Sequence, residues 1–386
     1  MEFREGMDAR KFLVGLVIAV ILIVLIVNRI KYARINHWIT DARDLVRDTA
    51  SFYYINDLYI SDGRHYEHLL DKKEKKLFED VYEAIKNRQS TVVLDLNEFE
   101  YSNFTRAVVV DTAFEKVFDV LSMDHPELIY YSPASNMFTY QRDSKYITVY
   151  LEYSMDNETY LANMQRMQNV ITVLKDATKE MSEYEKCKFV YEWLGTTNVY
   201  GAIDGSLSHS AYSAFVADQP TVCEGYAKAA QIILQNIGVN SIYVDGRLRG
   251  GKHAWNLVKI EGKYYYFDAT STSSFKDTIA DPICYAGFLP MNVKSYKFDY
   301  KQIIPEIKGK KYLYYRYNNL EIKFSDDSAT YEKIKAIADS REGNSVIEFR
   351  VKNMRSLKKH MQELEQLLGA RSYFLYGIDD TVFFVP

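Results

Sequence analysis

Cysteine, proline and glycine are all scarce in this chain. Its 386 residues hold only 3 Cys, too few for a framework of disulfides. Seven Pro and 17 Gly exclude a collagen-like repeat and long low-complexity linkers. An excess of one charge is missing too. Lys and Arg number 48 against 52 Asp and Glu, which leaves a net charge of −4. A dedicated nucleic-acid binder carries a basic excess or stripe, so no nucleic-acid partner is expected. The seven His follow no zinc spacing. There is no EF-hand loop and no G-x-x-x-x-G-K-[ST] loop, so the expectation is no metal and no cofactor. What the chain does have is apolar mass, 47% of its residues, which excludes a disordered polymer. It also has 33 Tyr, read as strand content and as flat amphipathic surface. Length alone suggests roughly two to three domains.

The longest apolar run lies near the start. Residues 12–27 read FLVGLVIAVILIVLIV, without a charge. Flanking basic side chains can snorkel, which extends the run to residues 12–30. Nineteen helical residues span roughly 28 Å at about 1.5 Å each, close to the thickness of a bilayer core. A cleaved signal peptide would have a shorter apolar region ending in small residues. Here the run ends Val27-Asn28-Arg29, so an uncleaved single-pass anchor is expected. Arg4, Arg10 and Lys11 on one flank balance Arg29, Lys31 and Arg34 on the other. The positive-inside count is therefore a draw. A short tail before one span and a large body favours a body outside the cytoplasm.

Four segments follow from the patterning: a tail and anchor over 1–31, an α+β domain over 32–157, a chemistry-bearing domain over 158–305, and a C-terminal α+β domain over 306–386. In the first α+β domain, a charged helical stretch over 67–88 precedes a strand at 91–97. A helix is expected over 112–123, opened by Asp111 and stopped at Asp124-His125-Pro126. Strands follow at ELIYYSP, NMFTYQ and YITVYLEYS. Further on, Ser182 with Glu185 three residues later is a capping-box start. The C-terminal domain reads strand, helix, strand, helix, strand, strand. Its helix–strand–helix–strand–strand order repeats that of residues 74–142, as a diverged duplication would.

Three strings in the third segment carry chemistry: TVCEGYA at 221–227, HAWN at 253–256 and FDAT at 267–270. Cys223 opens an apolar-periodic helix with Ala227, Ala230, Ile233, Leu234 and Ile237 on one side, ended by Gly238. A cysteine at a helix N-terminus sits in the positive end of the dipole, which favours its thiolate. Gly225, in the first turn, would clear space for a substrate. Cys187 and Cys284 read as buried, inert thiols. His253 and Asp268 lie on two strands of an expected hairpin turning at Glu261-Gly262. If Ile260 pairs with Lys263, Trp255 faces Asp268 and His253 is its diagonal neighbour, within reach of a hydrogen bond. A one-residue slip would put them on opposite faces. Cysteine, histidine and aspartate in that order suit nucleophilic attack on a carboxamide, with the histidine moving protons and the aspartate orienting it. The Cys223 backbone N–H is a natural oxyanion donor. Tyr212 and Gln219 are candidates for a second. The basic segment Arg247-Leu248-Arg249-Gly250-Gly251-Lys252 is either a plain hairpin connection or a flap over the cleft.

Together these strings resemble the transglutaminase-like core, a papain-related thiol fold. VCEGYA is similar to its nucleophile motif, HAWN to its histidine motif and FDAT to its aspartate motif. SEYEKCKFVYEWL with NVYG, and HSAYSAFV before Cys223, resemble its lead-in, over about 180–275 in all. The family often has tryptophan after D-x-T, whereas Ser271-Thr272-Ser273 stand here. The resemblance implies a core of N-terminal helices and an antiparallel sheet, with Cys223, His253 and Asp268 as nucleophile, base and orienting acid. It implies a protein or peptide substrate. It leaves three activities open: hydrolysis, transfer of a glutamine acyl group to an amine, or a non-catalytic scaffold. With the anchor, it points to a substrate or partner in the cell envelope.

Overall fold

The structure, a computed structural model, describes residues 65–95, 106–128, 137–140, 146–202, 207–216, 220–273, 283–340, 346–376 and 379–385. The apolar run at 12–30 lies outside the described residues. Among the described residues no helix is long and apolar enough to cross a membrane.

Asp71 starts the first helix, α1 (Lys72–Lys86), through a capping box with Glu74. Its lysine-rich face is solvated, while Leu77, Phe78, Val81, Ala84 and Ile85 are buried. β1 (Thr91–Asp95), α2 (Arg106–Asp124), β2 (Met137–Tyr140) and β3 (Tyr146–Tyr150) follow. β3 lies in the middle, antiparallel to both β1 and β2. Helix α2 begins six residues before the expected start, so Asp111 lies inside it and is not its cap. The Val108–Val110 run lowers helix propensity by only tenths of a kcal/mol per residue, too little to stop propagation once 113–124 is helical. Of the strand expected at ELIYYSP, residues 127–128 are not in a strand and 129–133 lie outside the described residues.

The central unit is helices against an antiparallel sheet. α3 (Asn157–Thr178) is capped by Asp156, and α4 (Glu183–Thr197) by the Ser182–Glu185 box. Two short parallel strands, β4 (Val199–Tyr200) and β5 (Pro220–Thr221), lead into α5 (Cys223–Asn236). β6 (Ser241–Leu248), β7 (Gly251–Ile260), β8 (Lys263–Phe267) and β9 (Tyr296–Phe298) pair in the order β8-β7-β6-β9, antiparallel throughout. Helix α5 is buried nearly all round: Ala229, Ala230, Ile232, Ile233 and Leu234 have no exposed surface. Polar side chains tie it to its surroundings. Asn256 Nδ2 donates to the Ala227 carbonyl at 2.9 Å, and Gln235 Nε2 to the Ser241 carbonyl at 2.9 Å. The basic segment at 247–252 is a hairpin connection. Leu248 pairs with Gly251, and Arg249 and Gly250 take the turn at φ 53° and 89°.

In the C-terminal unit, β10 (Glu321–Ile322), α6 (Ser328–Asp339), β11 (Ile347–Val351), α7 (Met361–Leu368), β12 (Ser372–Tyr376) and β13 (Thr381–Val385) occur in the expected order. The sheet runs β10-β11-β13-β12. β11, β12 and β13 repeat the pairing of β1, β2 and β3, with the last strand in the middle of three antiparallel ones. The shared sheet order supports the duplication that element order suggested. This unit has its own apolar cluster around Phe349, Leu357, Leu364, Val382 and Phe384. A larger cluster runs from Tyr66 through the central unit. Two buried carboxylates join the units. Glu348 accepts hydrogen bonds from the Tyr285 backbone at 3.0 Å and from the Tyr315 hydroxyl. Asp379 accepts from the Met291 and Asn292 backbone at 2.8 and 2.7 Å.

Candidate active site

Cys223 is the first residue of α5, half-buried, after the extended Val222. Helix geometry leaves the N–H groups of that first turn without intrahelical acceptors. The adjacent loop fixes where the helix begins: the Val222 N–H donates to the Ser208 carbonyl at 3.1 Å. Gly225 serves this same contact. A Cβ there would lie 2.5 Å from Ser208 O, 2.8 Å from Thr221 Cγ2 and 2.9 Å from Ser213 Oγ. The expectation that it clears room for a substrate is therefore corrected: the missing side chain lets the 208–213 segment pack on α5. Cys187 and Cys284 have no exposed surface, and burial pushes both thiols up.

The hairpin has the register that brings His253 to Asp268. Ile260 pairs with Lys263 and Asn256 with Phe267. Glu261 and Gly262 form the two-residue turn with φ of 47° and 76°, as a primed hairpin turn requires. Trp255 then falls opposite Asp268, one pair beyond the ladder. His253 Nε2 and Asp268 Oδ2 are 2.8 Å apart. Cys223 also lies close enough to the ring to favour its charged form. Burial alone would lower the basicity of His253. The Asp268 carboxylate and Cys223 more than offset it and raise the ring to about 10.

Asp268 is 1% exposed and held from several sides. Its backbone N–H donates to Gly287 O at 2.9 Å, and Oδ1 accepts from the Thr270 N–H at 3.2 Å. The Tyr296 hydroxyl donates to Oδ2 at 2.8 Å, the same oxygen that meets His253. Trp255 lies beside the histidine ring, 6.1 Å between centroids and 21° between planes.

A charged group flanks the cysteine. Glu224 bonds Lys228 Nζ at 2.6 Å and His209 Nδ1 at 2.9 Å. Burial opposes its charge, but Lys228 and His209 prevail and hold its carboxyl at about 2. Lys228 also reaches Ser122 on α2 at 2.9 Å. Tyr200, 51% exposed, lies within electrostatic reach of Cys223 and Asp268. The i, i+4 spacing of Glu224 and Lys228 was a readable signal. Nothing in SYKF marked Tyr296 as a partner of Asp268.

The oxyanion candidates stand differently. Tyr212 is buried, and its hydroxyl is engaged by Arg166 Nη1 at 2.6 Å. Gln219 lies outside the described residues. One set of metal-type ligands converges among the described residues, on the C-terminal unit: atoms of Asp326, His360 and Glu363 within 4.8 Å of one another. Asp326 and Glu363 are largely exposed. The Tyr331 hydroxyl is within hydrogen-bond distance of all three.

A half-buried cysteine opening a helix, on a histidine held by a buried aspartate, suits the strings read from the sequence. Residues 172–269 match the family described as the transglutaminase-like superfamily. This segment is a transglutaminase-like domain. It takes in α4, the Cys223 helix and the hairpin bearing His253 and Asp268, so the match covers the whole constellation. Two solved structures are similar over part of their length. One is described as a TGase, with 17% identity, a TM-score of 0.26, and coverage of 38% of this chain and 50% of that one. The other is a candidate cysteine protease from Cytophaga hutchinsonii, with 12% identity, a TM-score of 0.23, and coverage of 35% and 64%. The chain spans less than two thirds of the length of either structure. No curated protein matches the chain.

Proposed function

We propose that this protein is a thiol acyl-transfer enzyme that hydrolyses protein or peptide amides. The observation that carries this reading is the set Cys223, His253 and Asp268: the imidazole lies 2.8 Å from the buried carboxylate, with Cys223 at the head of α5 close enough to act on the same ring. Cys223 Sγ attacks the amide carbon once its proton has passed to His253. The new oxyanion lies at the N-terminus of α5, where backbone N–H groups point outward. As the C–N bond breaks, His253 gives the proton to the leaving amine. A thioester remains on Cys223. Water attacks it, His253 takes the proton from that water, and release of the acid restores the thiol. Asp268 keeps the ring oriented and its charge balanced.

The test is turnover of a fluorogenic peptide-amide library by the full chain beside Cys223→Ala. Hydrolysis that vanishes with Cys223→Ala supports the reading. If product forms only when a primary amine is added, the acyl group passes to amines and the hydrolase reading is wrong. If neither product forms and the Cys223→Ala chain keeps every binding partner, the domain is a scaffold.

The same proposal includes a membrane anchor at residues 12–30, with the body outside the cytoplasm and a cell-envelope substrate. It is supported by the uncharged stretch at 12–27, extended to 30 by a basic side chain that can snorkel. A reporter fused after residue 386 should be active outside the cytoplasm. Activity only inside overturns the topology.

A further inference from the structure

We propose that Tyr296 is a positioning residue of the active site: its hydroxyl fixes the Asp268 carboxylate and limits how strongly that carboxylate holds the His253 proton. This role rests on the reading of Cys223, His253 and Asp268 as a working triad. The geometry is specific. Tyr296 Oη and His253 Nε2 both lie 2.8 Å from the same oxygen, Asp268 Oδ2. Tyr296 is 4% exposed. Its ring is wedged among Trp255, Tyr266 and His253, with centroids 5.1, 5.4 and 6.4 Å away. It reaches the site from β9, the far edge of the sheet from β8, across β6 and β7.

The chemistry follows from what each group can do. A phenol facing a carboxylate can only donate. A donor on an ionised carboxylate stabilises its charge. Charge shared with Tyr296 is charge less available to the imidazolium. Without that hydroxyl, the buried carboxylate would lean more heavily on His253 and raise the ring further. A ring held too strongly keeps its proton and is a poorer acid toward the leaving amine. Tyr296 thus works against the upward pull of Asp268. The other groups that face this pair are Cys223 from α5, Thr270 through its N–H, and, at longer range, Tyr200 from β4 and Cys284. Only Tyr296 among these places a side-chain donor on Oδ2 in the described residues.

The experiment is a pH titration of the His253 ring by NMR, in the full chain labelled at histidine. It uses a Cys223→Ala background, with His253→Gln to assign the signal. Tyr296→Phe keeps the wedged ring and removes only the donor. The expected result is an upward shift of the His253 midpoint by about one pH unit, which disappears when Asp268→Asn is added. Tyr266→Phe, an aromatic neighbour of Tyr296, should leave the midpoint in place. An unmoved midpoint in Tyr296→Phe overturns the proposal, as does an equal shift in the Asp268→Asn background. The readout needs no substrate. If the protein proves inactive while the shift appears, the enzymatic reading falls and the Tyr296–Asp268 coupling stands.

Discussion

At the scale of single residues, the site is a chain of three side chains around one imidazole. His253 is raised to about 10 from an ordinary 6.5. The sign of its effect on stability follows. A raised basic group contributes fully below pH 6.5, and that contribution is lost as pH climbs through 10. The unfolding midpoint should therefore fall between pH 6.5 and 10, and fall less in His253→Gln, as thermal melts at several pH values will show. Glu224 has the opposite sign. Held at about 2 against an ordinary 4.5, it contributes above pH 4.5 and loses that contribution as pH falls through 2. Glu224→Gln should flatten the acid limb of the same melts. For turnover, Asp268→Asn should cost roughly 10³–10⁴-fold, because an amide presents its neighbours with a different hydrogen-bond pattern. Steady-state rates on a cleaved peptide amide check this. The three reactive types were legible because their short strings are distinctive. Tyr296 was not, since 28 residues separate it from Asp268 and no local pattern spans that distance.

At the scale of elements, the hairpin register and the start of α5 decide whether the site exists. The Glu261-Gly262 turn suggested the register only on the supposition of a two-residue loop; the loop has that length, and a one-residue slip would reverse the faces of β7. The start of α2 was misread because a valine run is a weak local signal against helix propagation. Gly225 was misread for a different reason. Sequence shows that a side chain is missing, but only packing shows what occupies its place. Gly225→Ala puts a methyl 2.5 Å from Ser208 O. It should destabilise the fold by about 1–3 kcal/mol, read as a lower denaturant midpoint with an unchanged slope. Ser182→Ala removes a cap and should cost about 1 kcal/mol by the same measurement.

At the scale of the molecule, a transglutaminase-like centre lies between two small α+β units that share one sheet order. The order of their elements was readable. The buried acids that dock the C-terminal unit were not, because in sequence Glu348 and Asp379 look like a strand residue and a turn residue. Asp379 has no exposed surface and carries two backbone N–H groups and Arg350 Nε at 2.9 Å. Asp379→Ala leaves Arg350 with one fewer partner in a buried setting and should cost about 3 kcal/mol. Limited proteolysis should then cut between residues 305 and 320 faster than in the parent chain.

The central claim is that Cys223 is activated by His253, and its most direct test is alkylation. The full chain is treated with iodoacetamide at neutral pH, beside His253→Ala, and each cysteine is followed by peptide mass spectrometry. The account predicts that Cys223 reacts faster than free glutathione while the buried Cys187 and Cys284 do not react. Loss of His253 should slow Cys223 by roughly 10²-fold or more. If Cys223 reacts like an ordinary thiol and ignores the loss of His253, the triad is not assembled and the enzymatic account is wrong.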